Sequence, residues 1–155
     1  MGDEQRNKDI VRTVEQLWID GKLDKLDQYF APNDQSHDRP PFLPQGIEGA
    51  KIAHQGSMKS FKDRNLEMKD LFAEGDKVFV RSTFSAQYMG GVPGIAAPEG
   101  GTPIKDIESW SVYRLKDGKI VEHWGLRTAS RSRCRPAPSR CPGWKRQQAV
   151  SARER

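Results

Sequence analysis

The sequence predicts an α+β fold in which helices come first and a mostly antiparallel sheet follows. Apolar residues recur at helical spacing near the N-terminus, and from residue 66 onward they alternate with polar ones. Two turn signals, Glu74-Gly75-Asp76 and Lys116-Asp117-Gly118, separate the alternating segments as hairpin turns do. A chain of 155 residues has room for one domain, so we expect helices packed on one face of a curved sheet.

Three helices are expected before the sheet. Residues 4–20 predict an amphipathic helix, because one apolar stripe contains Ile10, Val11, Val14, Leu17 and Trp18. Gly21 ends this helix, a short second helix covers 23–30, and turn and loop residues fill 31–44. A third helix is expected over 47–62, with an inward face formed by Ile52, Met58 and Phe61.

Four strands are expected in the second half. Alternation of apolar and polar residues predicts strands over 66–71, 78–88, 104–115 and 119–126. Residues 90–103 contain five glycines and three prolines and are expected to form a loop.

The positive charge is concentrated at the C-terminus. The chain has a net charge of +5, but residues 127–155 alone contain nine of the 26 Lys and Arg residues and one acid. Residues 1–126 are therefore mildly acidic, and nucleic acid is not expected as a partner of this part. We predict a domain over 1–126 and a basic, Arg/Pro/Ser-rich tail over 127–155.

Three interpretations of the tail remain open. Its composition is typical of GC-rich coding DNA translated out of frame, so a frameshift is one hypothesis. An arginine-rich arm for an acidic partner and a disordered terminus without a role are the others. Both cysteines, Cys134 and Cys141, lie here and are too few for a zinc site.

The rest of the composition points to a cytoplasmic protein. No apolar run is long enough to span a bilayer, and the first residues lack the apolar segment of a secretion signal. The predicted domain contains no cysteine, which fits a reducing compartment.

Three motifs resemble the SnoaL-like polyketide cyclase (ester cyclase) family over roughly residues 5–126. The resemblance is carried by Gly46-x-Glu48-Gly49-x-Lys51, Asp76-Lys77-Val78 and Tyr113-Arg114-x-x-x-Asp117-Gly118-Lys119-Ile120-Val121-Glu122-His123-Trp124. His37, which precedes a proline-rich stretch, fits the family pattern as well.

The resemblance implies the cone-shaped α+β barrel of the NTF2-like superfamily, with three helices packed on a curved sheet around a deep pocket. It implies a small apolar carbonyl compound as ligand, a homodimer or higher homo-oligomer, and neither a metal nor an organic cofactor. The implied reaction is an aldol-type ring closure by acid/base chemistry. This scaffold also hosts non-catalytic proteins, so the fold alone does not establish the reaction.

The sequence departs from the family pattern at the position of the catalytic aspartate. The family places its acid/base aspartate four residues beyond the tryptophan that matches Trp124, and this chain has Thr128 there. A threonine hydroxyl cannot act as a base near neutral pH. Many members also place a histidine at the position of Ser111.

Candidate replacements lie on the predicted strand 104–115. Glu108 and Asp106 are the candidate catalytic acids, and Trp110 and Arg114 are candidate substrate-binding residues on the same face as Glu108. A carboxylate and a guanidinium on one buried face either pair structurally or orient a substrate carbonyl. Asp70 is a further candidate acid.

Three aromatic residues complete the predicted site. His37 is a candidate proton shuttle at the pocket rim, or else a turn anchor. Trp124 is a candidate pocket wall and is expected on the opposite face from His123. Tyr88 ends a long strand beside a glycine-rich loop, where a lid over the pocket is expected. His54, in the middle of the third helix, is expected to lie at the surface or to serve helix packing.

Two classes of function follow. One is an ester cyclase-like enzyme in which Glu108 or Asp106 replaces the missing aspartate. The alternative is a non-catalytic NTF2-like module that binds a small ligand or dimerises. An epoxide hydrolase relative, built on Arg114 with Asp106 or Asp70, is a third interpretation.

Overall fold

The computed structural model describes residues 3–91 and 95–128. It contains two α-helices, one 3-10 helix and five strands. In chain order these are α1 (Asp3–Asp20), the 3-10 helix (Leu23–Gln28), β1 (Phe30–Ser36), α2 (Gly46–Ser60), β2 (Phe61–Glu74), β3 (Lys77–Tyr88), β4 (Thr102–Lys116) and β5 (Lys119–Arg127). The tail predicted from residue 127 lies outside the described residues, apart from Arg127 and Thr128.

The five strands form one sheet in the order β1-β5-β4-β3-β2. All neighbours are antiparallel except β1 and β5, which are parallel. The sheet is curved but does not close, because β1 and β2 are its two edges. The predicted α+β class, with helices followed by a curved and mostly antiparallel sheet, is confirmed.

The first strand is a feature that the sequence prediction missed. Phe30, expected to end the second helix, and residues 31–36, expected to form a turn and loop, instead form β1, with Phe30 opposite Ile120 and Ser36 opposite His123. Pro32 argued against a strand, but β1 is an edge strand, where one side needs no backbone donor. The pairing is irregular between Phe30 and Gln35, so the regular alternation that would identify a strand is absent.

The hydrophobic core lies between α1 and one face of the sheet, here called the inner face. Val11 and Val14 of α1 are fully buried and belong to the same cluster as Val80, Leu115 and Ile120. The opposite face is called the outer face. Because α1 and α2 pack on one side only, the two faces have different environments.

The inward face predicted for the third helix is wrong. Ile52 is 48% and Met58 39% exposed, whereas α2 buries Ile47 and Gly49. A Cβ at Gly49 would collide with the carbonyl oxygen of Pro44, so the helix packs closely on the preceding loop through its small residues. Phe61 is the first residue of β2 rather than the last turn of the helix.

A bulge in β4 decides which of its residues face the helices. The register with β3 shifts between Phe84 and Ala86, and Asp106 lies in the left-handed region with a φ of 52°. Beyond the bulge, Tyr113 and Leu115 are buried on the inner face. The alternate residues of β4 therefore face outward.

None of the helices in the described ranges is long and apolar enough to cross a membrane.

Candidate functional site

The residues predicted on β4 lie on the outer face. Glu108 accepts hydrogen bonds from Trp110 Nε1 at 3.0 Å and from Arg81 Nη1 at 3.2 Å. These two bonds lower the pKa of Glu108, so its carboxylate is a weak base. Glu108 and Trp110 do share a face as predicted, but it is not the face covered by the helices, and the arginine beside Glu108 is Arg81 rather than Arg114.

A second outer cluster contains three further predicted residues. The His37 ring stacks on Trp124 with a centroid distance of 4.8 Å, and His37 Nε2 lies 2.8 Å from Glu122 Oε1. Arg114 Nε donates to the other oxygen of Glu122 at 2.7 Å. The His37 contact, followed by that of Arg114, lowers the pKa of Glu122. This cluster links β1 to β4 and β5 across the outer face.

The other predicted residues are dispersed. Asp106 is exposed in the β4 bulge, where its backbone N–H donates to Ser85 Oγ at 3.1 Å. Asp70 forms an ion pair with Arg81 at 2.5 Å on the outer face. Tyr88 is the one predicted site residue buried on the inner face, and its hydroxyl donates to the carbonyl oxygen of Ile95 at 2.8 Å.

Thr128 extends the pairing between β5 and β4. Both its backbone N–H and its hydroxyl donate to the carbonyl oxygen of Glu108, at 2.8 and 3.1 Å. The position of the family's aspartate is therefore occupied by a side chain bonded to backbone.

The inner face carries a pair of side chains that the sequence prediction did not assign, His123 and Asp38. His123 Nδ1 lies 3.2 Å from Asp38 Oδ1, and the same oxygen accepts a hydrogen bond from Ser36 Oγ at 2.7 Å. Partial burial raises the pKa of Asp38, but contact with His123 and its charge outweigh this effect and hold the pKa well below its usual range. A Cβ at Gly125 would collide with the Asp38 carboxylate, so the pair requires glycine there.

The orientation of the His123 ring is fixed from two sides. Tyr113 stacks on it with a centroid distance of 4.6 Å and an interplanar angle of 26°. A carboxylate only accepts, so the contact with Asp38 places the proton of neutral His123 on Nδ1. Nε2 is buried and has no hydrogen-bond partner within the described part of the chain. The lone pair of neutral His123 is therefore on Nε2 and is not used by a hydrogen bond within these residues.

Tyr113 connects this pair to α1. Its hydroxyl donates to Glu15 Oε1 at 2.7 Å; Tyr113 is buried and Glu15 is half-buried. Burial raises the pKa of Glu15, against the hydrogen bond from Tyr113 and the charges of His123 and Arg127. Burial, together with Glu15, also raises the pKa of Tyr113 well above 10.0, so the phenol keeps its proton.

A buried ion pair holds the loop that carries Asp38. Asp34 on β1 is 1% exposed, and its carboxylate lies 3.6 Å from Arg39 Nη2. Arg39 Nη1 donates to the carbonyl oxygens of Pro44 at 2.9 Å and Gly46 at 2.8 Å. Burial raises the pKa of Asp34, while the charge of Arg39 and that of His123 oppose this rise.

The described residues contain no group of three or more His, Cys, Asp or Glu side chains arranged to hold a metal ion. The signal that could have found the inner site is strand pairing. His123 and Tyr113 are directly opposite each other on β5 and β4, so they share whichever face the core occupies. Asp38 gave no such signal, because it lies in the loop after a strand that was not predicted.

Comparisons with known proteins give one family and one fold. The model of the SnoaL-like polyketide cyclase family matches residues 8–129. TsrD from Streptomyces laurentii is 25% identical, covering 82% of this chain and 91% of its own, with a TM-score of 0.70. A candidate polyketide cyclase from Bacillus cereus is 32% identical, covering 72% of this chain and 66% of its own, with a TM-score of 0.60. IdmH, a candidate polyketide cyclase from Streptomyces antibioticus, shares the fold at 24% identity, covering 78% of this chain and 91% of its own, with a TM-score of 0.66. A search of curated proteins gives no match.

Proposed function

Because the chain belongs to the SnoaL-like polyketide cyclase family, we propose that it catalyses an acid/base ring closure of a small, apolar, polyketide-like carbonyl compound without a cofactor. The observation that carries this proposal is the pair of His123 and Asp38 on the inner face, with Nε2 of His123 unpartnered. The pair supplies a base in a chain whose family aspartate is replaced by Thr128.

The proposed reaction is an intramolecular aldol condensation. His123 Nε2 takes a proton from a carbon between two carbonyl groups, and the C–H electron pair forms an enolate. The enolate carbon attacks a second carbonyl, so that a C–C bond forms and an alkoxide develops. The imidazolium then returns its proton to the alkoxide oxygen, which restores neutral His123. A positioned general acid/base of this kind contributes about 10²- to 10⁴-fold in rate.

Asp38 and Tyr113 prepare His123 for both proton transfers. Asp38 stays ionised at neutral pH because its pKa is held low, so its charge stabilises the imidazolium. Tyr113 holds the plane of the ring by stacking and is itself fixed by Glu15. This geometry follows the base-and-orienter logic of histidine catalysis on other folds.

Space for a substrate is expected next to His123 on the inner face. Three residues there, on β3 and β4, have small side chains: Ser82, Ser109 and Ser111. The hydroxyls of Ser82 and Ser109 are hydrogen-bonded to each other at 2.8 Å, so they do not need a polar partner from a ligand. Large core residues fill the same face beyond Tyr113. The change from large to small side chains favours a pocket that begins at His123.

Proton abstraction from 5-nitrobenzisoxazole tests the base directly, since loss of its C–H proton releases a coloured nitrophenolate. We expect the protein to accelerate this reaction and His123→Gln to abolish the acceleration. His37→Gln, which alters the histidine of the outer cluster, is expected to retain it. The reverse pattern would reject His123 in favour of His37. Ring closure is then assayed with a linear poly-β-ketone methyl ester.

A non-catalytic ligand-binding module is the second candidate, and the backbone-bonded Thr128 favours it. This function predicts that the poly-β-ketone ester raises the melting temperature of the protein without being converted. Product formation that disappears in His123→Gln excludes it.

The outer face supports a proposal of self-association into a homodimer. It exposes Phe72 (57%), Trp110 (47%) and Leu126 (66%), next to the ion pairs of Arg81. Aromatic residues flanked by both signs of charge suit contact with a second copy related by a two-fold axis. Sedimentation velocity is expected to show a dimer for the parent protein and a monomer for Trp110→Glu. A parent protein that stays monomeric at high concentration would refute this proposal.

A further inference from the structure

A second polar cluster lies at the C-terminal end of α1. Arg64 Nη2 donates to the carbonyl oxygen of Trp18 at 2.5 Å and contacts His54 Nε2 at 2.9 Å. The His54 ring packs against Trp18 with a centroid distance of 4.7 Å. Arg64 Nε is buried and has no hydrogen-bond partner in the described part of the chain. A guanidinium group offers five N–H donors, and the buried Nε–H of Arg64 is one that no group in these residues accepts.

Arg64 differs from the other arginines that are not exposed. Arg39, Arg81 and Arg114 each form an ion pair with a carboxylate. Within the described ranges, no Asp or Glu lies within 4.0 Å of Arg64. A partly buried cation without a counter-charge is unfavourable, and an anion brought to it would offset that cost.

Two arginine charges act on the histidine of this cluster. Burial, the charge of Arg64 and that of Arg127 lower the pKa of His54 to about 4. His54 is therefore neutral at physiological pH and adds no charge of its own to that of Arg64. Burial also lowers the pKa of Arg64. The carbonyl of Trp18 accepts one contact from Arg64 near the C-terminal end of α1, where the helix dipole favours a cation, but no carboxylate in the described residues pairs with Arg64.

We propose that Arg64, assisted by the charge of Arg127, is a subsite for a carboxylate group of the ligand. A guanidinium group forms planar bidentate hydrogen bonds with a carboxylate. The cluster therefore selects an acid over its ester. The identification of this ligand with the substrate rests on the proposed function. The proposal that Arg64 binds a carboxylate does not.

The subsite is joined to the proposed catalytic pair through α1. Glu15, which anchors Tyr113, precedes Trp18 by three residues, or about one helical turn. Arg127 is opposite Ser109 at the end of β5, and its charge lowers the pKa of both Glu15 and His54. A ligand held by its carboxylate at Arg64 would extend along the inner face toward His123.

The test compares the binding of 2-naphthoate and methyl 2-naphthoate by titration calorimetry. We expect the parent protein to bind the carboxylate at least tenfold more tightly than the ester, as a charge-assisted pair requires. Arg64→Gln is expected to lose the preference while ester binding changes little. Arg12→Gln removes an equal charge from the exposed side of α1, where Arg12 pairs with Asp9, and is expected to keep it. His123→Gln also keeps it, which separates failure of this subsite from failure of the catalytic proposal.

Equal affinity for the two probes in the parent protein, or an unchanged preference in Arg64→Gln, would overturn the proposal. If Arg64→Gln does not fold, the proposal is tested on the parent protein alone. Its arginine Nε–H resonances, assigned with Arg64→Lys, must respond to naphthoate and not to the methyl ester. A response confined to other arginines would equally reject Arg64.

Discussion

The burial of neutral His54 predicts a loss of stability on mild acidification. Its pKa is lowered from 6.5 to about 4, first by burial and then by the charge of Arg64. Below pH 6.5 the unfolded chain binds a proton at this histidine and the folded chain does not. Stability therefore falls as the pH decreases from 6.5 to 4.

The size of the effect follows from the two pKa values. Each pKa unit corresponds to 1.36 kcal/mol, so the full window represents about 3 kcal/mol. Between pH 7 and pH 5 we expect His54 to account for about 2 kcal/mol of lost unfolding free energy. His54→Gln keeps an amide that can contact Arg64 but has no titrating group, so the variant should not show this loss.

Urea unfolding at pH 7, 6 and 5 measures the difference directly. The loss of unfolding free energy between pH 7 and pH 5 is expected to be about 2 kcal/mol larger for the parent protein than for His54→Gln. Gln55→Ala, on the exposed side of α2, controls for the helix and should follow the parent curve. Parallel curves for the parent and His54→Gln would show that His54 titrates normally and would refute the reasoning.

Three other changes have defined outcomes. Burial raises the pKa of Glu15 above its usual 4.5, so the folded state is destabilised relative to the unfolded chain as the pH rises above 4.5 and the carboxyl must ionise; Glu15→Gln should gain stability relative to the parent between pH 4 and pH 7, measured by thermal melts. Gly125→Ala displaces Asp38, and proton abstraction from 5-nitrobenzisoxazole should slow roughly 10- to 100-fold, whereas Gly56→Ala, where a Cβ meets nothing, should leave the rate unchanged. Leu26→Ala, at a fully buried position, should lower the unfolding free energy by about 2–5 kcal/mol in urea titrations.

The order of the elements could be predicted because their signals are local. The α1 stripe and the hairpin at Asp117-Gly118 depend on residues close in sequence, and both are present in the structure. β1 could not be predicted in the same way, because its pairing with β5 joins residues nearly 90 positions apart and is irregular. The fold class was therefore accessible from the sequence, but one of the five strands was not.

The site was less accessible for a related reason. Alternation placed Glu108 and Trp110 on one face of a strand, but alternation does not say which face the helices cover. Trp110 was predicted to bind substrate on a buried face, but it is 47% exposed on the outer face. The pairing of Asp38 with His123 brings a loop to a strand, and no periodicity encodes such a contact.

The bulge at Asp106 divides β4 into two segments whose faces are set independently. The segment from Glu108 onward takes its register from the hairpin with β5, while the segment before the bulge joins the glycine-rich loop. Because the extra residue is absorbed between them, a change of one residue in the loop need not invert the strand that carries Tyr113. The length of the glycine-rich loop can therefore change without altering the face of β4 on which Tyr113 lies.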